Sequence, residues 1–522
     1  MGKHKMDETL ARLFDQTALR LGTREAILFI RKGRLESKIS YSQLHQISNR
    51  VARGLTKMGL EKGERVILFM PKSIEQVILH LGIQKVGAIS VILNPGFKKE
   101  EMDYFLKDTD ARIVLVGKKE EALIRSIDEK RFTLSIDTET PFAGDKLFPE
   151  SPAQTVKTET GPHDPALLIY TSGTTGQPKG AILTHQNLVQ DGKNIIQIWE
   201  MTEKDVLCHA LPLFHVHGLC FALHTSLIAG AKVVMCDEFS PDTVMDMLSR
   251  QKGELACTLF MGVPTMYLRM MERMGGERRN FSHLRLLASG SAPLLQKDFQ
   301  AIKEVFGKEP LEREGMSETG MNFSNPLRGV KKPGSIGLPL PGVKVRIVDP
   351  ETLQDVEPHE VGEIWLRGPN ISPGYWRKPL ETETSFVNGW FRTGDLGKRD
   401  ENRYYYITDR LKHIIISGGE NISPQEIESM INTHQKVSES CVVGIPDAKW
   451  GEKVVAAVVL KPGVALTVKE IQDHCKHHLL VWKCPKEVFF LEELPRNKMG
   501  KVMKEEVTKF FLNLSQPHRA MP

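Results

Sequence analysis

The sequence predicts an α/β protein of more than one domain, and three observations carry that prediction. At 522 residues the chain exceeds what a single hydrophobic core organises. Over most of its length short β-type runs alternate with helical patterns, the signature of layered α/β architecture. From about residue 343 the texture changes to VKVRIVD, GEIWLRG and RYYYITD, whose period-two alternation and tight turns predict a small β-rich region.

Taken in chain order, VILFM near residue 66 reads as a strand, and ALLI at 166–169 as a buried strand that delivers the polar loop YTSGTTGQPKG (170–180) to a functional edge. KVVMCD near 232 reads as another strand. SPDTVMDMLSR from 240 has a helix start, with Ser240 as cap and Pro241 in the first turn. In SPQEIESMI, Ser423, Pro424 and Glu426 predict a capped helix with a reciprocal capping box. The preceding ISGGEN is then a glycine-containing loop entering a helix, which taken alone reads equally well as a simple turn. VVAAVVL near 454 reads as a strand of a further α/β unit that ends in a basic tail. There is no internal repeat and no low-complexity tract.

Composition narrows the function classes. With 40% hydrophobic and 26% charged residues the chain is ordinary for a globular protein, and a formal charge of +5 is small for its length. That argues against a nucleic-acid binder, although a local basic patch for a phosphorylated ligand remains open. Seven cysteines, at 208, 220, 236, 257, 441, 475 and 484, form no CxxC pair, which points to reduced thiols and an intracellular setting. The stretch MGKHKMDETLARLFDQ lacks a signal-peptide core and the opening MG lacks the myristoylation pattern. No run of eighteen apolar residues occurs, so a cytoplasmic protein without an integral membrane segment is expected.

The loop at 170–180 carries chemistry. Phosphate oxygens need clustered N–H and O–H donors with a cation, and small residues let backbone amides approach closely. Thr171, Ser172, Thr174, Thr175 and Lys179 supply the donors, with Gly173 among them. A P-loop is excluded: counted from Gly173, Pro178 stands where the second glycine belongs and Gly180 where the magnesium-holding hydroxyl belongs.

YTSGTTGQPKG closely resembles the signature loop of the AMP-forming adenylating enzymes, the superfamily of acyl-CoA synthetases, firefly-type luciferases and peptide-synthetase adenylation domains. The resemblance continues through LPLFHVHGL (211–219), ASGSAPL (288–294), EGMSETG (314–320), WFRTGDLG (390–397), DRLKHIIISGGENISPQEIE (409–428) and PRNKMGKV (495–502). One such string is weak evidence. Seven in the family's order identify the chain as a member. The resemblance implies a large N-terminal domain (1–408) of layered α/β subdomains plus a small β-rich subdomain, and a smaller mobile C-terminal α+β domain (409–522). It implies the acyl-CoA synthetase reaction: a carboxylate attacks the α-phosphate of Mg-ATP to give an acyl-adenylate and pyrophosphate, and the thiol of CoA then displaces AMP. Negative charge builds up in the first step, so preorganised cations and donors are what the chemistry wants.

By the same resemblance, Lys501 is the catalytic lysine bridging carboxylate and α-phosphate. Glu318 is the magnesium ligand, a hard oxygen donor, with Thr171 assigned beside it. Gly290, Ser291 and Ala292, together with Glu314, Gly315, Met316 and Ser317, belong to the nucleotide site. Asp395 accepts the ribose hydroxyls, with Arg410 on the same nucleotide. His215 lies beside the carboxylate channel and moves between half-reactions; His217 is its less certain neighbour, and neither has zinc-site spacing. Lys412 is the hinge about which the C-terminal domain turns. Gly418 and Gly419 line the pantetheine tunnel, and Trp450 in DAKWGE resembles a tryptophan that contacts the adenine of CoA.

One departure stands out. Most relatives carry an aromatic residue before GMTE or GMSE, lying on the adenine; here the position is Glu314, which implies looser nucleotide binding or a hydrogen bond from the adenine amino group. The acid itself stays open. LEREGMSETG is close to malonyl-CoA synthetases, and Arg313 could pair a distal carboxylate through a bidentate contact. However, a mid-helix arginine of that subgroup falls, on ungapped counting, at Gln300, so medium-chain, aromatic and alicyclic acids remain equally open. A stand-alone enzyme loading a carrier protein and a non-catalytic nucleotide-binding relative are the alternatives. The expected partners are a small carboxylic acid, ATP, Mg2+ and CoA, with no nucleic acid, in a monomer or homodimer.

Overall fold

The computed structural model describes residues 8–144, 146–156, 158–171, 177–496 and 502–515. The chain divides into two compact units, the first made of residues up to Val345 with Leu366–Phe391, the second of Arg346–Trp365 with the chain from Arg392 onward.

Two sheets organise the described residues of the first unit. One runs Leu338–Pro339, Gly320–Ser324, Leu311–Met316, Leu286–Ser289, Leu259–Gly262, Val206–His209, Lys232–Cys236, Glu25–Arg31 and Arg34–Ser40 in spatial order. Its middle strands pair parallel and its two edges are antiparallel, which fits buried apolar runs in the centre and hairpins at the margins. The other runs Thr133–Ile136, Ile113–Gly117, Arg65–Phe69, Ile89–Ile92, Pro165–Thr171 and Lys179–Thr184, parallel except for the last hairpin. Helices cover the strands because their apolar faces need burial. Pro241–Ser249 begins as the sequence implies, Ser240 accepting from the Thr243 amide, and buries Val244, Met245, Met247 and Leu248.

The strands read at 66, 166, 232, 344, 362, 405 and 454 all form, as Arg65–Phe69, Pro165–Thr171, Lys232–Cys236, Lys344–Val348, Gly362–Arg367, Tyr405–Arg410 and Gly451–Leu460. In the second unit, Glu420–Ile422, Ile415–Ser417, Gly451–Leu460 and Val437–Asp447 form a sheet in that order, with Glu487–Leu491 parallel to Gly451–Leu460. Helix Pro424–Ile431 packs its Ile427 and Ile431 against it. Its cap is half of the box expected. The Ser423 hydroxyl accepts from the Glu426 amide, but the Glu426 carboxylate takes both its bonds from Lys483 Nζ, at 2.7 and 2.8 Å. A lysine thus out-competes a backbone amide, because a charged donor makes the stronger bond.

All seven cysteines are buried thiols. No helix of the described residues is long and apolar enough to cross a membrane.

Candidate active site

The loop-bearing hairpin is built by register. Thr171 pairs with Lys179 across the antiparallel strands, and its Oγ1 donates to the Lys179 carbonyl at 3.5 Å. Beside it, the Gly374 carbonyl accepts from the Ile182 amide and the Trp376 amide donates to the Gly180 carbonyl, so the segment 374–376 is laid along the strand. This places Tyr375 where local sequence gives no hint of it. Lys179 Nζ stands 5.5 Å from the Tyr375 ring centroid, and the Tyr375 hydroxyl donates to Glu318 Oε1 at 3.0 Å. Burial, and then the Glu318 carboxylate, push the Tyr375 phenol well up, so it remains a donor at any working pH. Thr171, Lys179 and Glu318 are therefore brought to one edge, with Tyr375 orienting the carboxylate.

That donor set fits magnesium. Among the described residues no three His, Cys, Asp or Glu side chains gather into a metal cage. One buried carboxylate with a nearby hydroxyl is the hard-oxygen provision this ion takes when phosphates complete its shell.

The second part of the site lies on strand Leu311–Met316 and on the turn after Leu286–Ser289. These strands run parallel, Ser289 opposite Glu312, which sets Gly290, Ser291 and Ala292 beside Arg313. Ser291 adopts a left-handed φ of 68°, one of ten described non-glycine residues that do so. Its hydroxyl is hydrogen-bonded to His217 Nδ1 at 3.1 Å. His217 opens the π-helical segment His217–His224, a geometry frequent at functional sites. Burial, joined by the Arg313 charge, holds its imidazole neutral, and burial lowers His215 to about 4.

Arg313 is the unusual residue. It is 3% exposed, and its Nε, Nη1 and Nη2 have no hydrogen-bond partner among the described residues. Its guanidinium lies 5.0 Å from the Phe221 ring centroid, and a Cβ on Gly290 would stand 2.8 Å from its Cζ, so only glycine fits there. Burial lowers its pKa to about 10, which leaves it charged. Gln300, by contrast, is exposed on helix Gln296–Phe306 and donates to Glu304 Oε1 at 3.0 Å.

Glu314, the departure from the family pattern, is half-buried and accepts from Asn322 Nδ2 at 3.0 Å. Gly315 and Met316 pair with Met321 and Gly320 across the strand, and Ser317 follows half-buried before Glu318.

In the second unit Asp395 stands directly opposite Arg410, with Oδ1 2.7 Å from Arg410 Nε. Lys412 lies in the turn Leu411–His413 and pairs with Glu505 at 3.1 Å. Gly418 and Gly419 have φ of 62° and 87° and make the two-residue hairpin between Ile415–Ser417 and Glu420–Ile422, where two left-handed residues match the strand twist. The Gly418 amide donates to the Trp450 carbonyl at 2.7 Å, and Lys449 and Lys486 stand 4.8 and 5.4 Å from the Trp450 ring centroid. The hairpin, the indole and two cations are thus gathered within this unit. Ser172, Gly173, Thr174, Thr175 and Lys501 lie outside the described residues.

The model of the AMP-binding enzyme family matches residues 14–376, and that of the AMP-binding enzyme C-terminal domain matches residues 426–501. The chain belongs to the AMP-binding enzyme family. It is similar to an oxalate–CoA ligase of Arabidopsis thaliana, 34% identical across 97% of this chain and 99% of that one. A mitochondrial malonate–CoA ligase of Bos taurus is 32% identical across 90% and 86%. The crystal structure of ATP-bound MatB from Rhodopseudomonas palustris superposes with a TM-score of 0.89 at 36% identity, covering 97% of this chain and all of that one. The family member described here is an acid–thiol ligase that works with ATP, Mg2+ and CoA, in the family's arrangement of a large N-terminal and a small C-terminal domain.

Proposed function

We propose that this ligase forms the CoA thioester of a short dicarboxylic acid, through an acyl-adenylate and a domain rotation between two half-reactions. The observation that carries the choice of acid is the buried Arg313 guanidinium without a hydrogen-bond partner. Glu314 and Asp191 act on it electrostatically, but burying a guanidinium whose hydrogen bonds are unmade still costs several kcal/mol, a cost sustained where a ligand supplies the missing acceptors. An alkyl or aryl acid would leave those donors without acceptors in the complex; a second carboxylate satisfies them by two parallel hydrogen bonds. The relatives named for oxalate and malonate point the same way.

In the first half-reaction one substrate carboxylate oxygen bonds to the α-phosphorus and the bond to pyrophosphate breaks. Lys501 steadies the charge shared by the two reactants. Lys179 faces the phosphates, Asp395 holds the ribose, and Glu318, oriented by Tyr375, would hold the magnesium, which would offset phosphate charge. In the second, the CoA thiol gives up its proton, sulfur bonds to the acyl carbon, and AMP leaves. The C-terminal domain, from residue 409, turns about Lys412 to withdraw Lys501 and bring in Gly418, Gly419 and Trp450. A panel of oxalate, malonate, acetate, octanoate and benzoate, assayed for CoA-dependent AMP release, tests the assignment; turnover confined to monocarboxylic acids overturns it.

Two variants examine the parts. Lys412→Pro fixes the hinge backbone and removes its ion pair with Glu505; adenylation measured by pyrophosphate exchange is retained while thioester formation falls severely. Equal loss in both steps refutes the hinge. Glu314→Tyr restores the aromatic face, and stacking worth about 1 kcal/mol tightens AMP about fivefold by calorimetry. An unchanged Kd would place the adenine away from this residue.

A further inference from the structure

Both strands of the loop-bearing hairpin are held by one helix, Lys99–Thr109, on which Tyr104 and Asp108 stand four residues apart and so share a face. The Tyr104 hydroxyl donates to the Pro178 carbonyl at 2.6 Å, immediately before strand Lys179–Thr184. On the opposite strand the Tyr170 hydroxyl donates to Asp108 Oδ2 at 2.5 Å, a charge-assisted bond. Burial, and then the Asp108 carboxylate, raise the Tyr104 phenol to about 12 and push Tyr170 up in the same way, so both remain donors at working pH. The Thr171 side chain, by contrast, reaches the Lys179 carbonyl at 3.5 Å, the limit of a hydrogen bond.

Asp108 also reaches the segment that carries Tyr375. Its carbonyl accepts from the Trp376 indole at 3.1 Å, while the Trp376 amide donates to the Gly180 carbonyl at 2.8 Å. Gly180 lies between the two rings' residues: a Cβ there would stand 3.2 Å from Tyr170 Cζ and 3.5 Å from Trp376 Cβ. Lys378 Nζ, 3.6 Å from Asp108 Oδ1, balances a carboxylate whose side chain is 8% exposed. One helical turn is thereby joined to Thr171 through Tyr170, to Lys179 through Pro178, and to Glu318 through Trp376 and Tyr375.

We propose that Tyr104 and Asp108 are positioning residues for the first half-reaction: they set the spacing of Thr171 and Lys179 at the mouth of the hairpin and hold both against Glu318, so that one bound triphosphate meets all three. The inference rests on the reading of this edge as the phosphate and magnesium end of the site. Donors act on a charged ligand together only while they keep their spacing, and a displacement on the order of 1 Å costs about 10²-fold. Tyr104 and Asp108 need not touch the nucleotide to matter in this way.

The test is calorimetric binding of Mg-ATP and of AMP to the full-length enzyme, which requires no acid. Tyr104→Phe and Tyr170→Phe keep their rings and lose one hydroxyl each, so they report on the bonds even where Asp108→Leu fails to fold. Each of the three is expected to weaken Mg-ATP about tenfold while AMP, which lacks the β- and γ-phosphates, stays within about twofold of the parent. Asp108→Asn keeps an acceptor for Tyr170 and is expected to restore most of the loss. Tyr170→Phe and Asp108→Leu remove the same bond, so their double variant is expected to be no worse than either alone. Equal weakening of ATP and AMP, or losses that add in the double variant, assigns these residues to the scaffold and overturns the proposal. Lys179→Met separates the underlying reading: if it leaves Mg-ATP binding unchanged, the phosphate assignment of the edge falls. Weakened binding in Lys179→Met beside normal binding in Tyr104→Phe and Tyr170→Phe overturns the positioning role alone.

Discussion

Replacing Lys501 by alanine lowers acyl-adenylate formation by about 10² to 10³, measured as pyrophosphate exchange, with AMP binding changed far less. In the first half-reaction an anion attacks a phosphate ester that is itself anionic, and the transition state gathers charge on both. A single preorganised donor at such a point is worth about 3–4 kcal/mol, because it acts where water is excluded and needs no reorganisation. On either side of residues 497–501, Arg496 and Val502 form an antiparallel bridge, and the Met503 amide donates to the Pro495 carbonyl at 2.8 Å. If the lysine acts only in adenylation, supplying a synthetic acyl-adenylate with CoA restores thioester formation in the variant. Normal pyrophosphate exchange in Lys501→Ala would remove the residue from the mechanism.

What the sequence makes legible here is local. The run ALLI forms a buried strand because burial acts over a few residues, and Pro165–Thr171 pairs with Lys179–Thr184, on either side of the small polar residues. The glycine pair at 418–419 is legible for the same reason, since a two-residue hairpin needs its left-handed positions filled. Long-range pairing is what escapes. Tyr375 meets Glu318 across 57 positions and Met321 donates to Asp191 across 130, contacts that depend on which strands lie side by side. Arg313 shows the division most clearly. Its type and place in LEREGM suggest an anion partner, but that its guanidinium is both buried and without a protein partner follows only from how Gly290, Phe221 and the π-helical segment close around it. The Glu426 side chain escapes for the same reason, since Lys483, 57 residues away, competes for it.

Arg313→Gln raises KM for the dicarboxylic acid by at least about 10²-fold and leaves the unliganded protein as stable as the parent or more so. The two effects have one cause. In the complex the guanidinium meets a carboxylate away from water, and truncating one partner of such a pair costs about 2–5 kcal/mol. In the empty protein the same guanidinium makes no hydrogen bond, although Glu314 and Asp191 act on it electrostatically, so glutamine removes a buried group whose donors the fold does not satisfy. Asp191, deprived of its cation, escapes penalty by holding its proton, toward which burial already drives it. A structural arginine behaves in the opposite way, since its loss unfolds the protein and impairs every substrate alike. Thermal unfolding of the free enzyme, set beside KM for malonate and for a monocarboxylic acid of similar size, separates the two cases. Arg313→Lys keeps the charge but not the fork of parallel donors, and recovers only part of the affinity. Should Arg313→Gln lose stability while its preference among acids stays unchanged, the guanidinium would belong to the scaffold, and the choice of a dicarboxylic acid would lose its foundation.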